Sequence, residues 1–219
     1  MEFYYNPPIE PWLSILYQDE EIMVVDKPAE LLSVPGKGAE LHDSIITRVH
    51  WEFPEAETVH RLDMSTSGIL VIALTKVAER ELKRQFRERE TYKRYIADVF
   101  GIMEEDGGMI DLPLICDWER RPKQMVCFER GKEARTAYRV LFRNYQENFT
   151  RVSLNPLTGR SHQLRVHLLS LGHVILGDRF YAQGEALQQR SRLALHACEL
   201  KLIHPTTKEA LHFKVAPPF

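Results

Sequence analysis

The sequence predicts an α+β fold built on a mixed, mainly antiparallel sheet with flanking helices, and three observations lead there. Strand-like segments outnumber helix-like ones, and they do not alternate one for one as a doubly wound parallel sheet would require. The 219 residues, 44% hydrophobic and 27% charged, can enclose a substantial core and have the composition of a globular protein. No Pro-, Gly- or Ser-rich linker divides the chain, so one domain is expected over residues 15–219. An extended arm over residues 1–14, carrying Pro7, Pro8 and Pro11, precedes it.

The elements follow in order. Residues 15–17 and 22–25 are short apolar runs on either side of Gln18-Asp19-Glu20, which reads as strand, turn, strand. Pro28, Pro35 and Gly36 punctuate the loop that follows. Asp43 is the expected cap of a helix with Ile45, Ile46 and Val49 on one face. Residues 68–74 form a buried strand, and Thr75 should cap a helix over residues 76–89 with Ala78, Leu82 and Phe86 facing inward at four-residue spacing. Residues 92–100 alternate, with Tyr95, Ala97 and Val99 to one face and Arg94, Ile96 and Asp98 to the other. Further strands are expected over 136–142, 151–154, 193–203 and 210–215. Residues 162–171 read as a helix with Leu164, Leu168 and Leu171 on one face, Arg165 beside them, and Gly172 as its stop.

Cys116, Cys127 and Cys198 are odd in number and widely spaced, so neither a disulfide framework nor a thiolate metal site is expected. No run reaches the ~20 apolar residues of a membrane helix, and the first residues lack the pattern of a secretory signal. A cytoplasmic protein is therefore expected. The net charge of −2 is low for a nucleic-acid binder, although phosphate is recognised by local basic clusters rather than by the total.

Two segments concentrate reactive groups. His60-Arg61-Leu62-Asp63-Met64-Ser65-Thr66-Ser67-Gly68 packs an imidazole, a guanidinium, a carboxylate and three hydroxyls into nine residues at the mouth of a buried strand. Asp63 beside Arg61 reads either as a reactive carboxylate or as a plain ion pair. Thr158-Gly159-Arg160-Ser161-His162-Gln163-Leu164-Arg165-Val166-His167 sets donors on the first turns of a helix. There Arg160 and His162 are candidates for phosphate, and Gln163 for a base edge or its own neighbours. Arg165, if buried, needs a partner. His162 and His167 are about 140° apart around a helix and do not form a same-face metal pair. Tyr95 reads as core or as chemistry. Arg120-Arg121-Pro122-Lys123 and Arg179, Arg190 and Arg192 are further basic sets. Phosphate-loop, dinucleotide and zinc-protease motifs are absent, so no cofactor and no metal is called for and side chains must carry the chemistry.

These segments resemble a known family, the RluA-type pseudouridine synthases. The resemblance rests on Lys27-Pro28 with Leu31-Leu32-Ser33-Val34-Pro35, on the stretch from His60 to Gly68, and on Lys93, Tyr95, Ala97, Val99 and Gly101 in alternation. It continues through Thr158 to His167, then Gly177-Asp178-Arg179 with Tyr181, and Leu195-His196-Ala197. The motifs occur in the family's order across roughly residues 15–215. Glu30 stands where the family commonly has Gly, Ser65 where an acidic residue is frequent, and Val174 where Pro is common.

The resemblance implies a bisected sheet in a single catalytic domain without an S4 RNA-binding domain. It also implies an isomerase that breaks and re-forms the bond between uracil and ribose. Asp63 would be the essential carboxylate, Arg165 its partner, and Tyr95 the ring against the flipped base. His60, Arg61, Leu62, Thr66, Arg160, His162 and Gln163 would serve RNA binding. The Pro-Pro arm and the stretches 112–118 and 121–124 are similar to a member acting on stem-loops of both 23S rRNA and tRNA. A monomer without an obligate protein partner is expected. Two other classes compete: a non-catalytic RNA-binding module, and a glycoside hydrolase using Asp178 or Glu199 as a second carboxyl.

Overall fold

The computed structural model describes residues 5–219. In chain order the strands and helices are β1 (Ile15–Gln18), β2 (Ile22–Lys27), α1 (Ile45–Val49), β3 (Glu57–Thr58), β4 (Ser67–Ala73), α2 (Lys76–Glu88), β5 (Tyr92–Phe100), β6 (Gly107–Asp111), β7 (Leu114–Cys116), β8 (Gln124–Val126), β9 (Arg135–Asn144), β10 (Phe149–Pro156), α3 (Gln163–Ser170), α4 (Gly184–Gln188), β11 (Leu195–Ile203) and β12 (Ala210–Lys214). Each expected strand and helix is present, with ends moved by at most two residues.

The domain is built as two compact units. One holds everything through Tyr92 together with Ala197–Pro217, and the other holds Lys93–His196 with Pro218–Phe219. In the first unit β1 pairs antiparallel with β2, β2 with β4, β3 with β4, and β11 with β12. All seven residues of β4 are buried, because both of its faces are covered. Ile22, Val24, Ile69, Val71, Ala73, Leu200 and Leu202 meet Ala78 and Leu82 of α2 in one core. α2 starts where the sequence places it. The Thr75 side chain accepts from the Ala78 N–H, and Arg89 closes the far end with φ 62.

The first helix corrects one expectation. Its cap is Ser44, whose hydroxyl pairs with Thr47 in a reciprocal capping box. Asp43 instead holds Arg48, a buried guanidinium, through two bonds of 2.8 Å. Arg48 also donates to the Trp12 and Pro8 carbonyls at 2.9 and 2.8 Å and lies 4.3 Å from the centroid of the Trp12 ring. The part of the arm from Tyr5 onward is thus fastened to α1 by one charge that would be costly to leave buried alone.

In the second unit β10 pairs antiparallel with both β5 and β9, β9 with β6, and β7 with β8. Ala97, Val99, Val152 and Leu154 face Leu164 and Leu168 of α3 and the loop residues Ile175 and Leu176, with Tyr95 packed at the border. On the opposite face of β5, Asp98 is fully buried between Arg151 and Arg190. Leu171, expected on the apolar face of α3, is exposed, because the helix ends at Ser170 and the chain turns at Gly172.

Gly68 opens β4 with φ 115, and a Cβ there would run into the backbone of Ala197 in β11. Any side chain forces the two strands apart just behind the Asp63 loop. Gly68→Ala is therefore expected to destabilise the fold by roughly 2–4 kcal/mol, the combined cost of backbone strain and overpacking. An unchanged urea midpoint would show that the strands separate without penalty.

Candidate active site

Asp63 lies half-buried in the irregular link between β3 and β4, on a turn closed by the Thr66 N–H donating to the Asp63 carbonyl at 3.0 Å. Its neighbours are held from both sides. On one side the buried Ser33 hydroxyl donates to the Leu62 carbonyl at 2.8 Å and accepts from the Leu62 N–H at 3.1 Å. On the other, the Lys27 ammonium donates to the Met64 carbonyl at 3.0 Å, and also to the carbonyls of Pro28 and Leu31 at 2.8 and 2.6 Å. Lys27 is 0% exposed. The His60 ring stacks on Phe86 at 4.4 Å, and its Nε2 accepts from the Val71 N–H at 3.1 Å. Arg61 is exposed. Glu30 sits at φ 64, so the loop keeps a glycine-like backbone although the side chain is not glycine's.

The second cluster surrounds α3, whose first six residues, Gln163 through Leu168, are all buried. His162 precedes them at φ 51. Arg165, 3% exposed, meets the fully buried Asp178 through Nε at 2.8 Å and Nη2 at 2.6 Å. Asp178 is completed by the N–H groups of Phe180 and Tyr181 at 3.0 and 3.3 Å, and those two rings each lie 5.2 Å from the guanidinium carbon. The Tyr181 hydroxyl accepts from the Gln124 N–H at 2.8 Å and pairs with His162 Nδ1 at 2.7 Å. Arg160 is exposed, with Nε donating to the Glu133 carbonyl at 3.0 Å.

Gln163 is turned inward, toward its own neighbours, which is one of the two placements its residue type allows. Its oxygen accepts from the Thr158 hydroxyl and the Arg160 N–H at 2.7 and 3.0 Å. Its nitrogen donates to the Arg135 carbonyl and the Thr136 hydroxyl at 2.9 and 3.0 Å. That is the full capacity of an amide. Leu62 and Thr66 are likewise buried, so they shape the turn rather than present side chains outward. His167 is structural too. Its Nε2 donates to the Leu112 carbonyl at 3.0 Å, which leaves Nδ1 to accept from the Thr136 hydroxyl at 2.9 Å.

Lys27, Ser33 and Tyr181 lie within the motifs, but nothing in the sequence assigns them a task. The one signal was a lysine ending the apolar run of β2. Asp178 and Glu199, weighed as a second catalytic carboxyl, are engaged elsewhere, Asp178 with Arg165 and Glu199 with His212 at 2.6 Å. Among the described residues no helix is long and apolar enough to cross a membrane.

Residues 21–170 match the RNA pseudouridylate synthase family. The chain belongs to that family. It is accordingly an isomerase that acts on RNA. A protein of Salmonella typhimurium described as a dual-specificity RNA pseudouridine synthase RluA is 60% identical over 215 residues, 98% of each chain. Proteins of Escherichia coli and Pasteurella multocida with the same description are 59% and 56% identical over the same length. The fold is shared with human RNA Pseudouridylate Synthase Domain Containing 1, at 30% identity and TM-score 0.79 over 100% of this chain and 86% of that one. It is shared also with human RNA Pseudouridylate Synthase Domain Containing 4, at 26% identity and TM-score 0.73 over 94% and 88%. The family match includes residues of both compact units.

Two outcomes follow from this geometry. Asp178→Ala takes a two-bonded carboxylate from the buried Arg165 and is expected to cost about 3–5 kcal/mol of stability by chemical denaturation. A loss below about 1 kcal/mol would mean that water reaches Arg165. Burial pulls the His167 imidazole below its ordinary value of 6.5, against smaller opposite effects of the Leu112 carbonyl and Asp111. The folded state then holds fewer protons than the unfolded chain just below that value. His167 therefore contributes stability that is present above pH 6.5 and is lost as pH falls through 6.5 toward the depressed folded value. In His167→Gln the stability lost between pH 7 and pH 5 should shrink, and an unchanged slope would assign the acid sensitivity to other groups.

Proposed function

We propose that this isomerase converts uridine to pseudouridine in stem-loops of both 23S rRNA and tRNA, the anticodon stem-loop among them. The observation that carries the reading is end-to-end similarity, at 56–60% identity, to relatives described as dual-specificity enzymes. It acts as a cytoplasmic monomer without an obligate protein partner, residues 1–14 forming its arm and 15–219 its catalytic domain.

The reaction needs a uridine out of its stack, because the bond to be cleaved is inaccessible in a helix. Asp63 is the carboxylate that drives cleavage, by attack as a nucleophile or by taking a ribose proton. Arg165 is assigned as the cationic partner of that carboxylate. Its fixed orientation on Asp178 suits it to this, since a guanidinium already locked in place loses little freedom on engaging a second partner. Tyr95 stacks on the displaced base, near the carbon that gives up its proton last.

Arg61 and Arg160, both exposed, meet the RNA directly, Arg61 filling the gap left by the base and Arg160 a phosphate. His60, Leu62, Thr66, His162 and Gln163 support that contact by fixing the two loops, in keeping with their partners inside the protein.

The decisive assay is tritium release from RNA labelled at uracil carbon 5, on rRNA and tRNA from a strain lacking the gene. Wild type should release label from both. Asp63→Asn should bind RNA normally and turn over roughly 10⁴-fold more slowly, the scale expected for loss of a group that makes and breaks bonds. Release from one RNA class alone would remove the dual specificity. Comparable release by the variant would remove Asp63 from the chemistry.

A further inference from the structure

The reading of Asp63 as the reacting carboxylate leaves open what fixes its loop, since Asp63 lies on a turn and not in a strand or helix. We propose that Ser33, and behind it Tyr5 of the N-terminal arm, are positioning residues for Asp63. The proposal rests on that reading of Asp63.

The geometry is specific. Ser33 is buried, and its hydroxyl engages both backbone polar groups of Leu62, the residue immediately before Asp63. One hydroxyl thus does what a strand partner would do, giving a segment outside any sheet a complete pair of backbone bonds. With the N–H and the carbonyl of Leu62 both held, the peptide planes leading into Asp63 have little rotational freedom.

Ser33 is itself held by α1 and by the arm. The Ile45 N–H donates to the Leu32 carbonyl at 2.8 Å, and the Ile46 N–H to the Ser33 carbonyl at 3.3 Å. Leu32 and Ser44 form a parallel bridge. The Tyr5 hydroxyl accepts from the Leu32 N–H at 3.0 Å and donates to the Asp43 carbonyl at 2.8 Å. Tyr5 therefore ties the two sides of the bridge together through one oxygen. The arm that carries it is secured by Arg48 through the Pro8 and Trp12 carbonyls. A continuous set of bonds runs from the arm, through Leu32 and Ser33, to the residue next to Asp63.

Loss of the Ser33 hydroxyl frees both groups of Leu62 and lets Asp63 sample unproductive orientations. Misplacement of a reacting group by about 1 Å costs on the order of 10²-fold in rate, so Ser33→Ala should lower kcat roughly 30–100-fold. KM and RNA affinity should stay within about twofold of wild type, because the exposed contact residues are untouched. Ser33→Thr, which restores a hydroxyl, should recover much of the loss. Tyr5→Phe keeps the ring, removes only that oxygen and should lower kcat about three- to tenfold, one bond further from Asp63.

The experiment is single-turnover and steady-state tritium release by the full-length variants, with RNA affinity and thermal midpoint measured on the same preparations. A kcat loss at constant KM, recovered in Ser33→Thr, supports the proposal. Wild-type kcat in Ser33→Ala overturns it, as does a loss that follows RNA affinity or the thermal midpoint in parallel. If Ser33→Ala does not fold, Tyr5→Phe decides alone by the same split between kcat and KM. Asp63→Asn is run beside them. An inactive Asp63→Asn with a fully active Ser33→Ala sinks only the positioning role, whereas an active Asp63→Asn sinks the reading beneath it.

Discussion

The ammonium of Lys27 sits at the end of β2 with no exposure to water, and three backbone carbonyls accept from it. Two of those carbonyls, of Pro28 and Leu31, belong to the loop that leaves β2, and the third, of Met64, belongs to the turn that bears Asp63. A buried cation tolerates no vacancy in such a cage, because an unmet charge in the interior costs several kcal/mol. The loop and the turn are therefore constrained together by one atom. The glycine-like bend at Glu30 lets the loop double back far enough to supply its carbonyls. Gly68 lets β11 close in immediately behind. Asp63, the carboxylate proposed to react, thus rests on a backbone gripped by charge, hydroxyl and strand.

The same economy recurs in the other unit. Arg165, Asp178, Gln163, His167 and Thr136 are all buried, and each is matched to partners inside the protein. Fully satisfied polar networks rigidify a core, whereas partly satisfied ones destabilise it. Phe180 and Tyr181 flank the guanidinium carbon of Arg165, which leaves the pair little room to open. Both clusters thus use polar groups for rigidity, which a catalyst needs where groups must be aligned before the bond breaks.

Much of this was legible in the sequence, for identifiable reasons. The β2 and β4 strands and the α2 helix follow from apolar spacing, and Thr75 capped α2 as its residue type suggested, because these are local rules. Ser44 displaced Asp43 as the cap of α1 for a non-local reason. Arg48, buried beneath the arm, claims the Asp43 carboxylate. Leu171 was misplaced because periodicity does not reveal where a helix stops. The Asp63 and α3 segments stood out as dense clusters of functional groups, but their inward partners did not, since Ser33 and Leu62 are 29 residues apart and no spacing rule joins them. Gln163 shows the limit most clearly, because the same residue type suits a nucleobase and a buried network equally well.

The buried run at the start of α3 bears on how this protein tolerates change. An ordinary surface helix offers outward positions every third or fourth residue, where side chains vary freely. Gln163 through Leu168 offer none, since six consecutive residues are buried. Saturation mutagenesis should therefore show a solid intolerant block across this helix, in contrast with the periodic stripe expected across α2.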